Sequence, residues 1–215
     1  MGISNEKLKP GLTAVKLGND LRNYRSNILK RYIKDYAFLF LISGTVILLD
    51  QWTKNIVRSN LSFGEIWPQN HWIVDYARIV HWANTGAAFG IFQDFGTVFS
   101  ILAVIVSVAI IYYFPKVPRE DWLIRIALGL QMGGAIGNLI DRLTIGHVTD
   151  FVSLDRFAVF NVADASISFG TALLVIGLWQ NERKEKAKQS SSSSEDDPEP
   201  QDISGPPPLE EVPGE

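Results

Sequence analysis

Apolar residues in this chain fall into four blocks that polar segments separate from one another. The blocks cover residues 36–49, 95–114, 122–141 and 161–180. A helix needs about 20 mainly apolar residues to cross the hydrocarbon of a bilayer. Because the first block is shorter than that, we expect its helix to continue through residues 50–56. The pattern predicts an all-α membrane protein with four transmembrane helices.

The segment between the first two blocks, residues 55–94, has a different pattern. Residues 72–92 are rich in β-branched and aromatic side chains and include Asn84, Thr85 and Gly86. That composition is typical of strands joined by a turn. We therefore expect strands here instead of another membrane span.

Both ends of the chain are polar. Residues 1–35 contain eight Lys and Arg and predict a cytoplasmic arm or an amphipathic surface helix. After the membrane domain, residues 36–182, a basic run leads into a serine-rich, acidic and proline-rich tail. Such a tail has almost nothing to bury, so residues 183–215 are expected to be disordered and cytoplasmic.

The distribution of charge predicts the orientation in the membrane. The N-terminal arm, the connection 115–121 and residues 183–188 are rich in Lys and Arg, which favours the cytoplasmic side. With four spans, both termini are then cytoplasmic, and the 50–94 region and a loop at 142–160 reach the outer face. Six polar residues from three parts of the chain meet there: Asp50, Asn84, Asp141, Asp150, Asn161 and Asp164.

The third block has two further features. Gly129, Gly133 and Gly137 recur every four residues, and small residues at that spacing let helices pack closely in lipid. Arg125 lies near the start of the block. We expect its long side chain to extend to the membrane interface.

Nucleophilic and metal-dependent chemistry have little support in the sequence. The 215 residues include no cysteine, which excludes disulfides, thiolate nucleophiles and cysteine-ligated metals. No G-x-S-x-G turn and no H-E-x-x-H pair is present. The histidines are too dispersed to predict a metal site: His71, His81 and His147. Sequence alone leaves a Ser–Lys or Ser–His arrangement open.

Paired carboxylates remain as the candidate catalytic groups. When two aspartates share a site, one keeps its proton, so the pair can supply both a general base and a general acid. Asp141 adjoins Arg142 and is expected to form a structural ion pair, and Asp155 has an arginine beside it in a loop. Asp150 and Asp164 lie among apolar residues with no adjacent base, which makes them the best candidates. Composition alone does not settle the choice.

Asp50 and Lys54 are four residues apart, so they lie on one face of the first helix and can pair. The pair either steadies the helix end at the membrane interface or contacts a substrate. The sequence leaves both interpretations open.

Four sequence blocks together resemble the lipoprotein signal peptidases, the signal peptidase II family of bacterial membrane aspartic proteases. They are D-Q-W-T-K at 50–54, N-T-G-A-A-F at 84–89, G-N-L-I-D-R-L at 137–143 with G-H-V-T-D-F at 146–151, and F-N-V-A-D at 160–164. Each block is weakly specific alone, but their order relative to the four spans matches the family. The resemblance covers about residues 36–182. The N-terminal arm and the acidic tail depart from the family's usual pattern.

The resemblance implies an endopeptidase of the bacterial inner membrane. It would remove the signal peptide from a diacylglyceryl-modified prolipoprotein, cutting before the lipidated cysteine, with catalytic aspartates at Asp150 and Asp164 that activate water. The positions implied for binding substrate or orienting the dyad are Asn138, Arg142, Asn161, Asn84, Asp141, Asp50 and Lys54. A small outer-face β platform, contact with membrane lipid and inhibition by globomycin-type cyclic peptides are implied as well. We expect a monomer with no metal, no cofactor and no nucleic-acid partner.

Three other interpretations are weaker. A presenilin-type protease would carry a G-x-G-D motif in a span, and none is present. A transporter or channel would hold cations with aspartates at a pore mouth. Such proteins usually show inverted repeats or charges near mid-membrane, and the sequence shows neither. The third alternative is a structural membrane subunit.

Overall fold

The computed structural model describes residues 14–68, 76–86, 95–154 and 158–193. Within these residues, four helices are long and apolar enough to cross a membrane. They are α1 (Ala14–Asn60), α2 (Gly96–Tyr113), α3 (Trp122–Ile145) and α4 (Val162–Ser193). The strands are β1 (Ile66–Trp67), β2 (Ala77–Asn84) and β3 (Val148–Leu154). The predicted fold, four transmembrane helices with a small sheet, is confirmed, and the protein is a multi-pass membrane protein.

Helices α1 and α4 are longer than the apolar blocks predict. α1 takes in residues 14–35, so much of the predicted arm continues the first transmembrane helix. Its 47 residues correspond to about 70 Å at 1.5 Å per residue, more than twice the ~30 Å of the hydrocarbon. α4 ends at Ser193 instead of near residue 180. Residues 1–13 and the tail from residue 194 lie outside the described residues.

The sheet has the order β1-β2-β3, and both pairs of neighbours are antiparallel. β2 lies where strands are predicted, and residues 72–75 and 87–92 of that segment lie outside the described residues. β3 lies within residues 142–160, which the sequence predicts as a loop. Almost all of β3 is buried on both faces, so apolar and polar residues do not alternate along it. The usual sequence signal of a strand is therefore missing.

The glycine face predicted on α3 is confirmed by its packing against α1. A Cβ atom on Gly133 would lie 2.8 Å from the carbonyl oxygen of Ser43 and 2.7 Å from Cβ of Val46. A Cβ atom on Gly137 would lie 2.7 Å from Oδ2 of Asp50. The two helices therefore approach closely, which brings Asp50 next to the last turns of α3.

Arg125 does not extend to the interface, so that prediction is wrong. Its buried side chain donates hydrogen bonds to Oδ1 of Asp35 at 2.8 Å and to the carbonyl oxygen of Val117 at 3.1 Å. Its guanidinium carbon lies 4.3 Å from the ring centre of Phe114. Asp35 is itself buried and also accepts a hydrogen bond of 3.0 Å from Arg119. A buried carboxylate needs a cation, and this requirement keeps Arg125 inside the protein.

The described residues from Leu178 to Ser193 belong to a second compact unit. In its described part, the guanidinium carbon of Arg183 lies 4.1 Å from the ring centre of Trp179. Lys186 and Glu182 form an exposed ion pair of 2.6 Å one helical turn apart.

Candidate active site

The end of α3 turns directly into β3. Gly146 ends the helix in the left-handed conformation (φ 80°), which glycine adopts without side-chain strain. The backbone N–H of Thr149 then donates a hydrogen bond of 3.0 Å to Oδ2 of Asp141. This contact fixes the strand against the helix and places Asp150, the next residue, at the same end of α3.

Asp164 lies in the first turn of α4 and forms a capping box with Asn161. Oδ1 of Asn161 accepts the backbone N–H of Asp164 at 2.9 Å, and Oδ2 of Asp164 accepts the backbone N–H of Asn161 at 3.2 Å. This reciprocal pair satisfies two backbone donors at the helix N-terminus. The helix dipole also favours negative charge at this position. The sequence N-V-A-D therefore fixes Asp164 through local helix geometry.

Asn161 connects Asp164 to Asp150. Its Nδ2 donates hydrogen bonds of 2.7 Å to Oδ1 of Asp150 and 3.1 Å to Oδ1 of Asn138. Nδ2 of Asn138 donates in turn to Oδ1 of Asp164 at 2.8 Å. On β2, Nδ2 of Asn84 donates to Oδ2 of Asp150 at 2.8 Å. One set of amide side chains thus holds both aspartates.

Burial raises the pKa of Asp150 to about 7, and the negative charge of Asp164 acts in the same direction. Hydrogen bonds from Asn84 and Asn161 and the positive charge of Lys54 oppose this rise. A carboxyl group with such a pKa can hold and release a proton near neutral pH, as general acid–base catalysis requires.

Lys54 lies at the centre of a buried ion network. Its ammonium lies 2.8 Å from Oδ2 of Asp50 and 3.2 Å from Oδ2 of Asp141, and all three side chains are almost fully buried. It also donates a hydrogen bond of 2.9 Å to Oδ1 of Asn138. Oδ1 of Asp50 accepts the backbone N–H of Ala163, in the first turn of α4, at 2.9 Å. The network therefore joins α1, α3 and α4 at the residues that hold Asp164.

These contacts revise two interpretations. Asp50 and Lys54 pair as predicted, and both side chains are fully buried instead of exposed at the end of the helix. Asp141 pairs with Lys54 and Arg58, each at 3.2 Å, instead of with Arg142. The reason is helix geometry, because adjacent residues on a helix point in different directions.

A cavity of about 770 Å³ reaches Asp164. The wall of the cavity is mostly apolar. Four predicted site residues also line it: Asn84, Asn138, Arg142 and Asp164. Arg142 donates a long hydrogen bond of 3.4 Å to the carbonyl oxygen of Gly86. Its Nε is buried and has no hydrogen-bond partner among the described residues. A buried donor needs an acceptor, so a ligand oxygen in the cavity fits this position.

The other predicted site residues are buried and do not line the cavity: Asp50, Lys54, Asp141, Asp150 and Asn161. Asp155 lies outside the described residues. Within the described part of the chain, no group of three or more His, Asp or Glu side chains could hold a metal ion.

Sequence analysis missed three polar residues of this region. Nε2 of Gln51 lies 3.2 Å from Oδ1 of Asp141, and Arg58 donates to Asp141 and to Oγ1 of Thr149, each at 3.2 Å. A signal for Arg58 was present, since it follows Lys54 at the same four-residue spacing that separates Lys54 from Asp50. Gln51 and Thr149 carry no such signal.

Comparison with proteins of similar sequence identifies the family. Residues 42–180 match the family model described as Signal peptidase (SPase) II. The chain belongs to the signal peptidase II family. It is 37% identical over 154 residues to the lipoprotein signal peptidase of Halalkalibacterium halodurans, and the alignment covers 70% of this chain and 97% of that protein. It is 39% identical over 149 residues to the lipoprotein signal peptidase of Desulfitobacterium hafniense, with coverages of 69% and 97%.

Solved structures share the fold of this signal peptidase II. A bacterial membrane enzyme solved in meso at 2.3 Å resolution matches with a TM-score of 0.62 and 32% identity, over 67% of this chain and 88% of that one. A second, solved at 1.9 Å resolution, matches with a TM-score of 0.58 and 33% identity, over 65% and 91%. The family resemblance of the four sequence blocks is therefore confirmed, and the protein is a membrane aspartic peptidase of that family.

Proposed function

We propose that this signal peptidase II removes signal peptides from diacylglyceryl-modified prolipoproteins and that Asp150 and Asp164 are its catalytic dyad. The observation that carries the proposal is the position of Asn161, whose side-chain N–H donates to the Asp150 carboxylate and whose side-chain oxygen accepts the backbone N–H of Asp164, which lines the cavity. The relatives that match this chain are lipoprotein signal peptidases, which supports the choice of substrate.

Asp164 acts as the general base, because it lines the cavity while Asp150 is almost fully buried. Its carboxylate takes a proton from water as the water oxygen bonds to the carbonyl carbon of the scissile peptide. Protonated Asp150 hydrogen-bonds the carbonyl oxygen and then gives its proton to the leaving nitrogen as the C–N bond breaks. Proton transfer from Asp164 to Asp150 restores the dyad for the next cycle.

Arg142 binds the substrate in this proposal. Its unpartnered Nε–H needs an oxygen acceptor, which a peptide carbonyl or an ester of the diacylglyceryl group provides. The apolar walls of the cavity suit acyl chains and an apolar signal peptide. Asn138 and Asn161 orient the dyad. Lys54 donates a hydrogen bond to Asn138, and Asp50 and Asp141 bind the ammonium of Lys54.

The enzyme lies in the bacterial inner membrane with both termini in the cytoplasm. Lys and Arg in the arm, in the 115–121 connection and in residues 183–188 support this orientation. The sheet and the dyad are then on the periplasmic side. The enzyme acts as a monomer without a cofactor, and globomycin-type cyclic peptides compete with substrate for the cavity.

A gel-shift assay tests the proposal. Purified protein is incubated with a diacylglyceryl-modified prolipoprotein and, in parallel, with the unlipidated precursor. We expect cleavage of the lipidated form only, immediately before the modified cysteine, and none with Asp164→Asn. Absence of cleavage by well-folded protein, or unchanged cleavage by Asp164→Asn, would refute the assigned activity or the assigned dyad respectively.

A further inference from the structure

We propose that Arg31 and Arg119 bind the phosphate of an anionic phospholipid, at the end of the spans opposite the dyad. Arg31 lies on α1, and Arg119 lies in the connection between α2 and α3. Both guanidinium groups lie beside the carboxylate of Asp35. Nε of Arg119 is 3.0 Å from Oδ1 of Asp35, and Nε of Arg31 is 4.0 Å from Oδ2. No residue of the dyad or of the cavity takes part, so the site does not depend on the proposed reaction.

This cluster carries more positive than negative charge. Arg125 already pairs with Asp35 through a hydrogen bond of 2.8 Å, and both side chains are buried. That pair by itself compensates the buried carboxylate. Arg31 and Arg119 therefore bring two further positive charges to the same place. Like charges so close together repel each other, and an anion bound between them would remove the repulsion.

The two arginines have N–H donors left for a ligand. Their side chains are accessible, with 64% of Arg31 and 46% of Arg119 exposed. Arg119 uses one N–H for Asp35 and another for the backbone carbonyl oxygen of Arg31, at 3.1 Å. The side chain of Arg31 donates no hydrogen bond to a described residue. Each guanidinium has five N–H donors in a planar fork, which matches the oxygens of a phosphate.

The cluster lies at the level of the lipid headgroups. Asp35 directly precedes the first apolar block, and Trp122, three residues after Arg119, begins α3 with 59% of its surface exposed. Tryptophan at the end of a span is typical of the membrane interface. Basic clusters beside the end of a span are typical sites for anionic headgroups. A phospholipid fits better than a free phosphate, because its acyl chains would also contact the exposed apolar side chains of the spans.

Stabilisation of the fold alone does not account for Arg31. Its distance of 4.0 Å from Asp35 is at the limit of an ion pair, and an exposed pair of that kind contributes little to stability. Asp35 has two closer cations and does not need a third. The acidic residues that follow Arg119, Glu120 and Asp121, form no ion pair with any residue that the structure describes. An anionic partner for Arg31 therefore has to come from outside the described residues.

The test measures lipid binding by the full-length protein in detergent, without substrate. Phosphatidylglycerol is compared with zwitterionic phosphatidylcholine, using native mass spectrometry for affinity and thermal unfolding for stabilisation. The variants are Arg31→Gln, Arg119→Gln and the double variant. The matched control is Arg22→Gln, which removes the same charge from an exposed position of α1. Arg22 is nine residues from Arg31, about 14 Å along the helix and more than the ~8 Å over which salt screens a charge.

We expect wild type to bind phosphatidylglycerol about tenfold or more tightly than phosphatidylcholine. Each single variant should weaken binding of phosphatidylglycerol about fivefold, the effect of one arginine at a lipid surface, and the double variant about 25-fold. Arg22→Gln should bind as wild type does. Each protein is compared with its own unfolding temperature in the absence of lipid, so that a loss of stability in Arg119→Gln cannot imitate a loss of binding.

Three outcomes would overturn the inference. They are equal binding of the two lipids by wild type, unchanged binding of phosphatidylglycerol by the double variant, and a loss in Arg22→Gln as large as that in Arg31→Gln. The last would show an effect of net charge instead of a site. Inorganic phosphate at the same concentration should not stabilise the protein, and stabilisation equal to that by phosphatidylglycerol would rule out a lipid as the ligand. None of these results depends on cleavage of prolipoproteins, so the proposed function is tested separately.

Discussion

The ammonium of Lys54 donates a hydrogen bond of 2.9 Å to the side-chain oxygen of Asn138, although 84 positions separate the two residues in the chain. The amide nitrogen of the same Asn138 donates to Asp164. A cation on α1 therefore sets the orientation of an amide on α3, and that amide binds a carboxylate on α4. The stability of the site depends on this buried cation.

Replacing Lys54 with Met should destabilise the protein by about 3–5 kcal/mol, because Asp50 and Asp141 would stay buried without their cation. Thermal unfolding in detergent measures the loss. Lys186→Met removes the exposed pair with Glu182 and should cost less than about 1 kcal/mol. Adding Asp50→Asn to Lys54→Met should recover part of the stability. Equal unfolding temperatures for the two Lys variants would show that the network contributes little.

Asp150→Asn and Asp164→Asn should each insert and fold but lose cleavage by more than about a hundredfold, since each removes one partner in proton transfer. Initial rates with a lipidated prolipoprotein provide the measurement. Asp20→Asn, at an exposed position of α1, is the matched control and should keep full activity. Substantial activity in either dyad variant would remove that residue from the catalytic pair.

The rate of cleavage should fall as the pH rises above about 7, because Asp150 then loses the proton that it donates. Asn84 donates a hydrogen bond to the Asp150 carboxylate, which favours the ionised form. Asn84→Ala should therefore raise the pKa of Asp150 and move the alkaline fall to higher pH. Single-turnover rates across the pH range give both profiles. A shift to lower pH would contradict the assigned role of this hydrogen bond.

Gly133→Ala should destabilise the helix pair α1–α3 by roughly 1–3 kcal/mol, because the added carbon would meet Ser43 and Val46 at 3.0 Å or less. Gly44→Ala is the control on the neighbouring helix. A carbon there would meet nothing within 4 Å, so helix propensity should make it neutral or stabilising by up to about 1 kcal/mol. Unfolding in detergent distinguishes the two. Similar effects at both positions would argue against close packing at Gly133.

The chain has no cysteine, so single introduced cysteines can report its orientation without background. Ser62→Cys and Glu120→Cys both fall at exposed positions between helices, at opposite ends of the spans. In intact cells, a membrane-impermeant thiol reagent should label the first and not the second. Labelling of only the second would reverse the proposed topology.

The sequence predicts those parts of the protein that depend on local spacing or on the membrane itself. The bilayer imposes the length of the spans, and a spacing of three or four residues places Asn161 against Asp164 and Asp50 against Lys54. Contacts between distant segments carry no such signal. Arg125 is 90 residues from Asp35. Asp141 pairs with Lys54 only because α1 and α3 pack together. The buried strand that bears Asp150 was missed for the related reason that both of its faces are covered.

The capping box at the start of α4 has a consequence for antibiotic resistance. Oδ2 of Asp164 accepts the backbone N–H of Asn161 in this capping box, and the same side chain lines the cavity that we propose an inhibitor would occupy. A mutation that removes this carboxylate to evade a drug would also leave the backbone N–H of Asn161 without its acceptor, while the Asn161 side chain would still cap the helix. Escape at this position therefore abolishes catalysis and also removes one hydrogen bond at the start of α4.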